Sequence, residues 1–317
     1  MTKQRWLANL LLLVVAILVP TIFKTPYLVH LFVLSGIFAL FSLAYDIVIG
    51  MMGQFSFGHQ ALWGLGAYIS ALLAVDTGVS PWFTIPAGAI GTGIFGFAMG
   101  WISLRLRGAY LGIITLGFAV ILQEVIINWK TVTHGWLQVL RIPAPKLGDT
   151  ALNTPFSYYY LVLAFLLLTI YFIKSIQRSR FGRGLAALRE NEQRAISLGI
   201  PIFKYMVVAF TISATLSGLA GALFAHYVHT INPNTLATSY LWAALIIVLV
   251  GGSGTLGGPL IGTLLFIFVP EWLRMAAALR FAVFGILIVV CVVFVPEGLY
   301  PRLLSLWNRF IVSRVKG

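Results

Sequence analysis

The chain has 317 residues, of which 60% are hydrophobic and only 9% charged, with a mean hydropathy of +0.98. A water-soluble domain of this size needs far more ionic surface, so soluble classes are excluded and the chain reads as an integral membrane protein. The net charge of +13 would suggest nucleic acid in a soluble protein. Here no RNA- or DNA-binding motif occurs and the aromatics lie inside apolar runs, so the excess is read as topology and no nucleic acid is expected.

A helical span needs about 20 mostly apolar residues. Ten candidates follow in chain order: 7–23, 27–50, 60–76, 82–104, 109–129, 158–175, 206–228, 238–250, 259–273 and 281–299. The first follows Lys3 and Arg5 as a signal peptide would. No small-x-small cleavage site succeeds it, only Lys24-Thr25-Pro26, so it reads as a retained anchor. The eighth and ninth are short and flank a glycine run, as two short helices or one broken element would. The expected fold is all-α and polytopic, with about ten transmembrane or partly re-entrant helices and a short cytoplasmic helix.

Basic residues set the orientation, because Lys and Arg near span ends favour the cytoplasmic side. With the N-terminus inside and ten alternating spans, fifteen of the 21 Lys and Arg fall inside. Fusing 238–273 into one span drops that to thirteen. Both termini are therefore expected in the cytoplasm. Residues 130–157 form an external loop, and residues 174–205 form an internal loop holding seven of the basic residues. The other connections are too short for a domain, so any large soluble activity must come from a partner.

Within the spans, Asp46 and Glu124 lie near the ends, where snorkelling or a local hydrogen bond suffices. The first dense motif is Gly50-Met-Met-Gly53-Gln54-Phe55-Ser56-Phe57-Gly58-His59, leading into Ala61, Gly64, Gly66, Ala67 and Tyr68. Two readings stand: a tight packing turn whose polar groups satisfy freed amides, or a pathway-lining or gating break. The internal loop reads as a short amphipathic helix over 185–198, stopped by Gly199 and Pro201. Leu185, Leu188, Glu192, Ala195 and Ile196 share one face. Such a helix either lies solvated against lipid headgroups or docks to a partner. Ala214, Gly218, Gly221 and Ala222 form a small-residue face for helix packing.

His226 and His229 are one turn apart. With no third ligand in sight they read as interfacial hydrogen-bonding groups rather than a metal site. Gly252-x-x-Thr255-Leu256-Gly257 partly echoes Gly53-x-x-Ser56-Phe57-Gly58, and each opens a span running outward. Glu271 precedes Arg274 by three residues, which suits a local ion pair. Cys291, alone in an apolar run, reads as a small hydrophobe. No Gly-Lys pair exists, so the chain lacks a phosphate-binding loop and the standard route of ATP hydrolysis.

Four ordered blocks carry a family resemblance. They are Gly50-x-x-Gly53-Gln54-x-Ser56-x-Gly58-His59-x-Ala61-x-x-Gly64-x-Gly66-Ala67-Tyr68, then Arg107-Gly108-Ala-Tyr110 with Thr115-Leu116. Arg189-Glu190-Asn191-Glu192 with Leu198-Gly199-Ile200 follows, and last comes Gly251-Gly252-x-Gly254-Thr255-x-x-Gly258-Pro259. Together they resemble the branched-chain amino acid ABC transporter permeases of the LivM type, over about residues 36–300.

The resemblance implies a single transmembrane domain, 1–317, of an ATP-driven importer in the inner membrane of a prokaryote. A sister permease of the LivH type would pair with it in the bilayer. Two cytoplasmic ATPases would carry ATP and magnesium, and an external binding protein would deliver substrate; the chain itself would be no enzyme and hold no cofactor. The internal loop would be the ATPase-coupling segment, through Arg183, Leu188, Arg189, Glu190, Asn191, Glu192, Arg194, Leu198 and Gly199. The path or gate would include Gly53, Gln54, Ser56, Gly58, His59, Thr115, Gly254 and Thr255. The chain departs from the family pattern at Thr133-His134-Gly135, where Thr-Gly-Gly is common, and around Val120, where an acid is common. Relatives of this family carry urea, amides or aromatic acids. On the residues alone an ion-coupled secondary transporter using Asp46, Glu124 or Glu271 also stays open.

Overall fold

Proline and the first polar residue after each loop set where the long helices begin. In the computed structural model, which describes residues 14–148, 150–272, 285, 289 and 298–305, three helices start on Pro26, Pro81 and Pro155. Proline at a first position sacrifices an amide that would be unpaired anyway. Residues 14–22 are helical (α1). There follow α2 (Pro26–Asp46), a π turn (Ile47–Met51), α3 (His59–Asp76), α4 (Pro81–Ser103), α5 (Ala109–Asn128) and a short α6 (Lys130–Thr133). Then come α7 (Pro155–Arg178), α8 (Arg180–Glu190), α9 (Glu192–Ser197), α10 (Ile202–Val228), α11 (Thr238–Gly251) and α12 (Gly257–Trp272). The sequence spans from 27 to 273 match these helices closely. Most of candidate span 281–299, with Cys291 and Arg274, lies outside the described residues.

Among the described residues, six helical segments are long and apolar enough to cross a membrane: α2 with its π turn, α4, α5, α7, α10 and α11 with its preceding turn. The more polar α3 sits inside, packed by α10, α4, α5 and α11. In a bilayer, helices associate through close van der Waals contact rather than water exclusion, so bare backbone at the interface is what brings them together. The α3–α4–α10 group is knit this way. A Cβ on Gly66 would strike the Gly218 backbone, one on Gly221 the Trp63 carbonyl, and one on Gly96 the Ala214 side chain. The small-residue face read from Ala214 to Ala222 is therefore a true packing face. Around this group, α7 packs on α2, and the α11–α12 hairpin packs on the other side of α2. Their outward surfaces, and that of α5, carry large apolar side chains such as Tyr110, Ile113, Ile121, Leu168 and Tyr171.

The connections sort into two layers. At one end, strand β1 (Val139–Leu140) pairs antiparallel with β4 (Thr230–Ile231), while β2 (Lys146–Leu147) pairs with β3 (Thr150–Ala151). At that end Trp82 Nε1 also donates to the Lys146 carbonyl at 2.7 Å, and His134 lies 3.5 Å from Asp76. His226 Nδ1 and His229 Nδ1 bond the Pro143 and Ile142 carbonyls at 2.6 and 2.8 Å. Each histidine thus fastens the loop after α5, as hydrogen-bonding groups would. At the other end Arg107 pairs with Glu192 at 3.0 Å. Among the described residues, these contacts join connections that the charge count assigns to the same side.

The internal loop departs from the expected single helix. Asn191 is extended, with φ −161° and ψ 111°, and its side chain caps α9 by accepting from the Arg194 amide at 3.0 Å. That cap outcompetes helix continuation, as asparagine does at N-caps. The break resets the helical phase. Leu185, Leu188 and Ala195 stay buried, while Ile196, expected on their face, is 52% exposed.

Candidate gating and coupling site

The C-terminal end of α2 does not stop where its hydrogen bonds turn irregular. Five residues of π turn carry it on, and the amides of Met52 and Gln54 reach back to Ile47 and Val48 carbonyls at 3.0 Å. Single π turns inside α-helices recur at functional sites. The chain then unwinds over 52–58 and climbs back beside α2 before α3 begins. Its depth is fixed by its partners: the Tyr45 hydroxyl donates to the Ser56 carbonyl at 2.8 Å, and the Phe57 amide donates to Thr115 Oγ1 at 2.9 Å. Thr115 lies two turns inside α5. Irregular backbone is tolerated at such depth only where protein satisfies it.

A continuous relay crosses this break. Ser213 Oγ donates to the Ala44 carbonyl at 2.6 Å, so that hydroxyl can only accept from His59 Nε2, 2.9 Å away. His59 is thereby assigned the Nε2–H tautomer, leaving Nδ1 to accept from Ser56 Oγ at 3.0 Å. Ser56 in turn accepts from the Gly58 amide at 3.4 Å. The imidazole is fully buried and sits against the Tyr45 and Phe210 rings. Replacing His59 with phenylalanine removes one hydrogen bond from each serine, although Ser213 keeps the Ala44 carbonyl and Ser56 the Gly58 amide. The expected cost is about 1–3 kcal/mol, from two lost hydrogen bonds at about 0.5–1.5 kcal/mol each. A fall in the detergent-solubilised protein's thermal midpoint measures it; an unchanged midpoint refutes the relay.

The second break, residues 252–256 between α11 and α12, mirrors the first. Thr255 Oγ1 donates to the Gly252 carbonyl at 2.8 Å and accepts from the Gly258 amide at 3.1 Å, as Ser56 serves Gly58. Gly53 and Gly254 both adopt left-handed φ, +69° and +78°, which favours glycine. In the register of the partial echo Gly53 answers to Gly252 and Gly58 to Gly257, so of these features only the hydroxyls of Ser56 and Thr255 stand at matching positions.

The two breaks touch. Asp46 is 5% exposed, and its Oδ1 accepts from the Gly254 amide at 2.8 Å. This corrects the expectation of snorkelling or a local bond: the π turn extends α2 beyond Asp46 and seals it from water, and the donor lies 208 positions away. Glu124, by contrast, has its local partner, Asn128 Nδ2 at 3.1 Å, and Glu271 accepts from the Tyr27 hydroxyl. Arg189 of α8 reaches into the same junction and donates from Nη1 to the Gly50 carbonyl at 2.5 Å. Its stem packs over Gly53, and a Cβ on Gly254 would run into its guanidinium.

Of the residues expected in the path or gate, Gly53, Gln54, Ser56, Gly58, Gly254 and Thr255 lie in these two breaks; His59 opens α3 beside the first, and Thr115 reaches it from α5. The internal-loop residues divide. Leu188 is buried and Glu192 is held by Arg107; Arg183, Arg189, Glu190, Asn191, Arg194, Leu198 and Gly199 are exposed, and of these Arg189 turns its guanidinium to the Gly50 carbonyl. Sequence reasoning missed Asp46, Tyr45 and Ser213 as members. Ser213 directly precedes the small-residue face that begins at Ala214, and nothing in that pattern marks it. Beside the relay, Ser42 Oγ, Gln60 Oε1 and Ser217 Oγ are buried without a hydrogen-bond partner among the described residues. Among those residues, no group of three or more His, Cys, Asp or Glu could hold a metal ion.

Residues 27–295 match the family described as the branched-chain amino acid transport system permease component. The chain is 30% identical over 291 residues to the high-affinity branched-chain amino acid transport system permease protein LivM of Escherichia coli (84% of this chain, 68% of that protein). It is also similar to LivH of the same organism, 28% identical over 259 residues (73% of this chain, 80% of that protein). BraD of Pseudomonas aeruginosa is 25% identical over 303 residues (87% of this chain, 95% of that protein). No solved structure matches the chain.

Proposed function

Since this chain belongs to the permease-component family of branched-chain amino acid transport systems, we propose that it carries a branched-chain amino acid inward as one half of a two-permease membrane core. The chain is a multi-pass transport subunit of an importer, not an enzyme. Its similarity to both LivM and LivH supports a core built from two related folds, with a LivH-type partner. Two cytoplasmic ATPases drive it, and an external binding protein hands over the substrate. The membrane is the inner membrane of a prokaryote. The end bearing α8 and α9 faces the cytoplasm, as do both termini, in line with the basic residues concentrated there.

The observation that carries the reading is the junction of both glycine-broken segments with the internal loop. Glycine-interrupted helices in corresponding places are a recurring mark of transporter sites. An inner closure formed by two unwound turns can open without breaking a regular helix. Buried polar groups left unpaired at Ser42, Gln60 and Ser217 suit a path that hydrates intermittently. The exposed residues of α8–α9, apart from Arg189, form the ATPase contact.

Reconstitution tests this. The chain, its sister permease, two ATPases and the loaded binding protein in proteoliposomes should accumulate labelled leucine, isoleucine or valine when ATP is enclosed with the ATPases. Excess unlabelled urea or short amides should not compete. Uptake driven by an ion gradient without ATPases would overturn the reading, and selective uptake of urea or an amide would overturn the cargo.

A further inference from the structure

The contact made by Arg189 separates it from its neighbours on the internal loop. Arg189 is exposed like its neighbours, yet its guanidinium turns back and donates to the Gly50 carbonyl. That carbonyl belongs to the π turn ending α2. The adjoining Asp46 carboxylate holds the Gly254 amide, in the turn between α11 and α12. Two glycines make room for the arginine: its stem lies on Gly53 and its head abuts Gly254. A third, Gly50, lets the two turns meet, since a Cβ there would run into Asp46 and the Gly254 backbone. One side chain of the loop thus lies over both unwound segments at once. The rest of the loop has a separate tether, the Arg107–Glu192 pair at 3.0 Å, which joins α9 to the connection between α4 and α5.

Resting on the transport reading above, we propose that Arg189 is a positioning residue that transmits movement of α8–α9 to the two glycine breaks. While the loop sits as described, Arg189 and Asp46 clamp the π turn and the 252–256 turn together and keep the inner end closed. When the ATPases shift the loop, Arg189 leaves Gly50, and the remaining Asp46–Gly254 bond no longer suffices to hold the two turns. Arg189 then contributes nothing to ATPase docking, which falls to exposed neighbours. An arginine suits this role because its charge is permanent and its planar head can donate to several acceptors.

The full assembly, in proteoliposomes with loaded binding protein, decides the matter through Arg189→Gln. The ATPase-to-permease ratio after co-purification is expected to stay at the wild-type value. Substrate moved per ATP hydrolysed is expected to fall at least tenfold. Asp46→Asn keeps an acceptor for the Gly254 amide and is expected to lose less than Asp46→Leu, which keeps none. A wild-type transport-to-ATP ratio in Arg189→Gln would overturn the proposal, and so would loss of the ATPases from that variant. Should Arg189→Gln not assemble, Arg189→Lys is read instead; lysine can still reach a carbonyl, and failure of this variant to assemble would also overturn it. Absence of ATPase binding by the wild-type chain would refute the transport reading itself, a result distinct from any of these.

Discussion

Replacing Gly221 with valine should nearly abolish recovery of folded protein from the membrane. Gly221 of α10 faces the carbonyl of Trp63, and a Cβ there would also meet the Ala67 amide nitrogen. Those atoms are backbone of α3, so no rotamer change relieves the clash and the helices must part. Overpacking in a well-packed interior costs about 1–3 kcal/mol even when side chains can yield. Here the cost belongs at the upper end or beyond, against a total stability of about 5–15 kcal/mol. The separation would also loosen the neighbouring approach of Gly66 to Gly218 and the packing of Gly88 on the Gly66 carbonyl. Size-exclusion chromatography in mild detergent measures the loss of the monodisperse peak. Gly117→Ala is the control, because a Cβ at Gly117 meets nothing within 4 Å. A peak undiminished in Gly221→Val would show that α3 and α10 do not pack as described.

The second large effect concerns the exposed edge of α9. Leu198 is 76% exposed and Ile196 52%, both beside charged residues on the internal loop. Apolar anchors entering a partner's pocket contribute about 2 kcal/mol or more each, roughly thirtyfold in affinity. Leu198→Asp with Ile196→Asp should therefore reduce co-purified ATPase more than a hundredfold and eliminate ATP-dependent uptake. Permease yield should hold, since both side chains project from the bundle. Undiminished ATPase recovery would move the docking surface elsewhere.

Much of the architecture was legible because its signals are local. Pro81 and Pro155 open α4 and α7 one and three residues before the apolar runs assigned to them, and the short apolar runs around 251–258 resolve into two helices. The small residues from Ala214 to Ala222 named their own interface. The site was legible as composition but not as connection. Density of glycine marked both breaks, yet their meeting depends on Asp46 and Gly254, far apart in the chain, and no periodicity encodes such a pairing. Arg189 looked like its exposed neighbours because its direction follows from how α8 docks against the bundle. Asn191 misled for another reason: its capping strength competes with a helical pattern that is otherwise continuous, and the balance is decided by one hydrogen bond to the Arg194 amide.

Gly66, Gly218 and Gly221 place main chain against main chain or side-chain base at the centre of the bundle. A joint of that kind has no soft coordinate: nothing in it can rotate, slide by a rotamer or swell by degrees. The α3–α4–α10 unit therefore behaves as a stator. Whatever strokes the transport cycle requires must be made by the parts hung around it, the unwound turns and the α11–α12 hairpin, and labels placed within the unit should keep fixed separations while those across its border change.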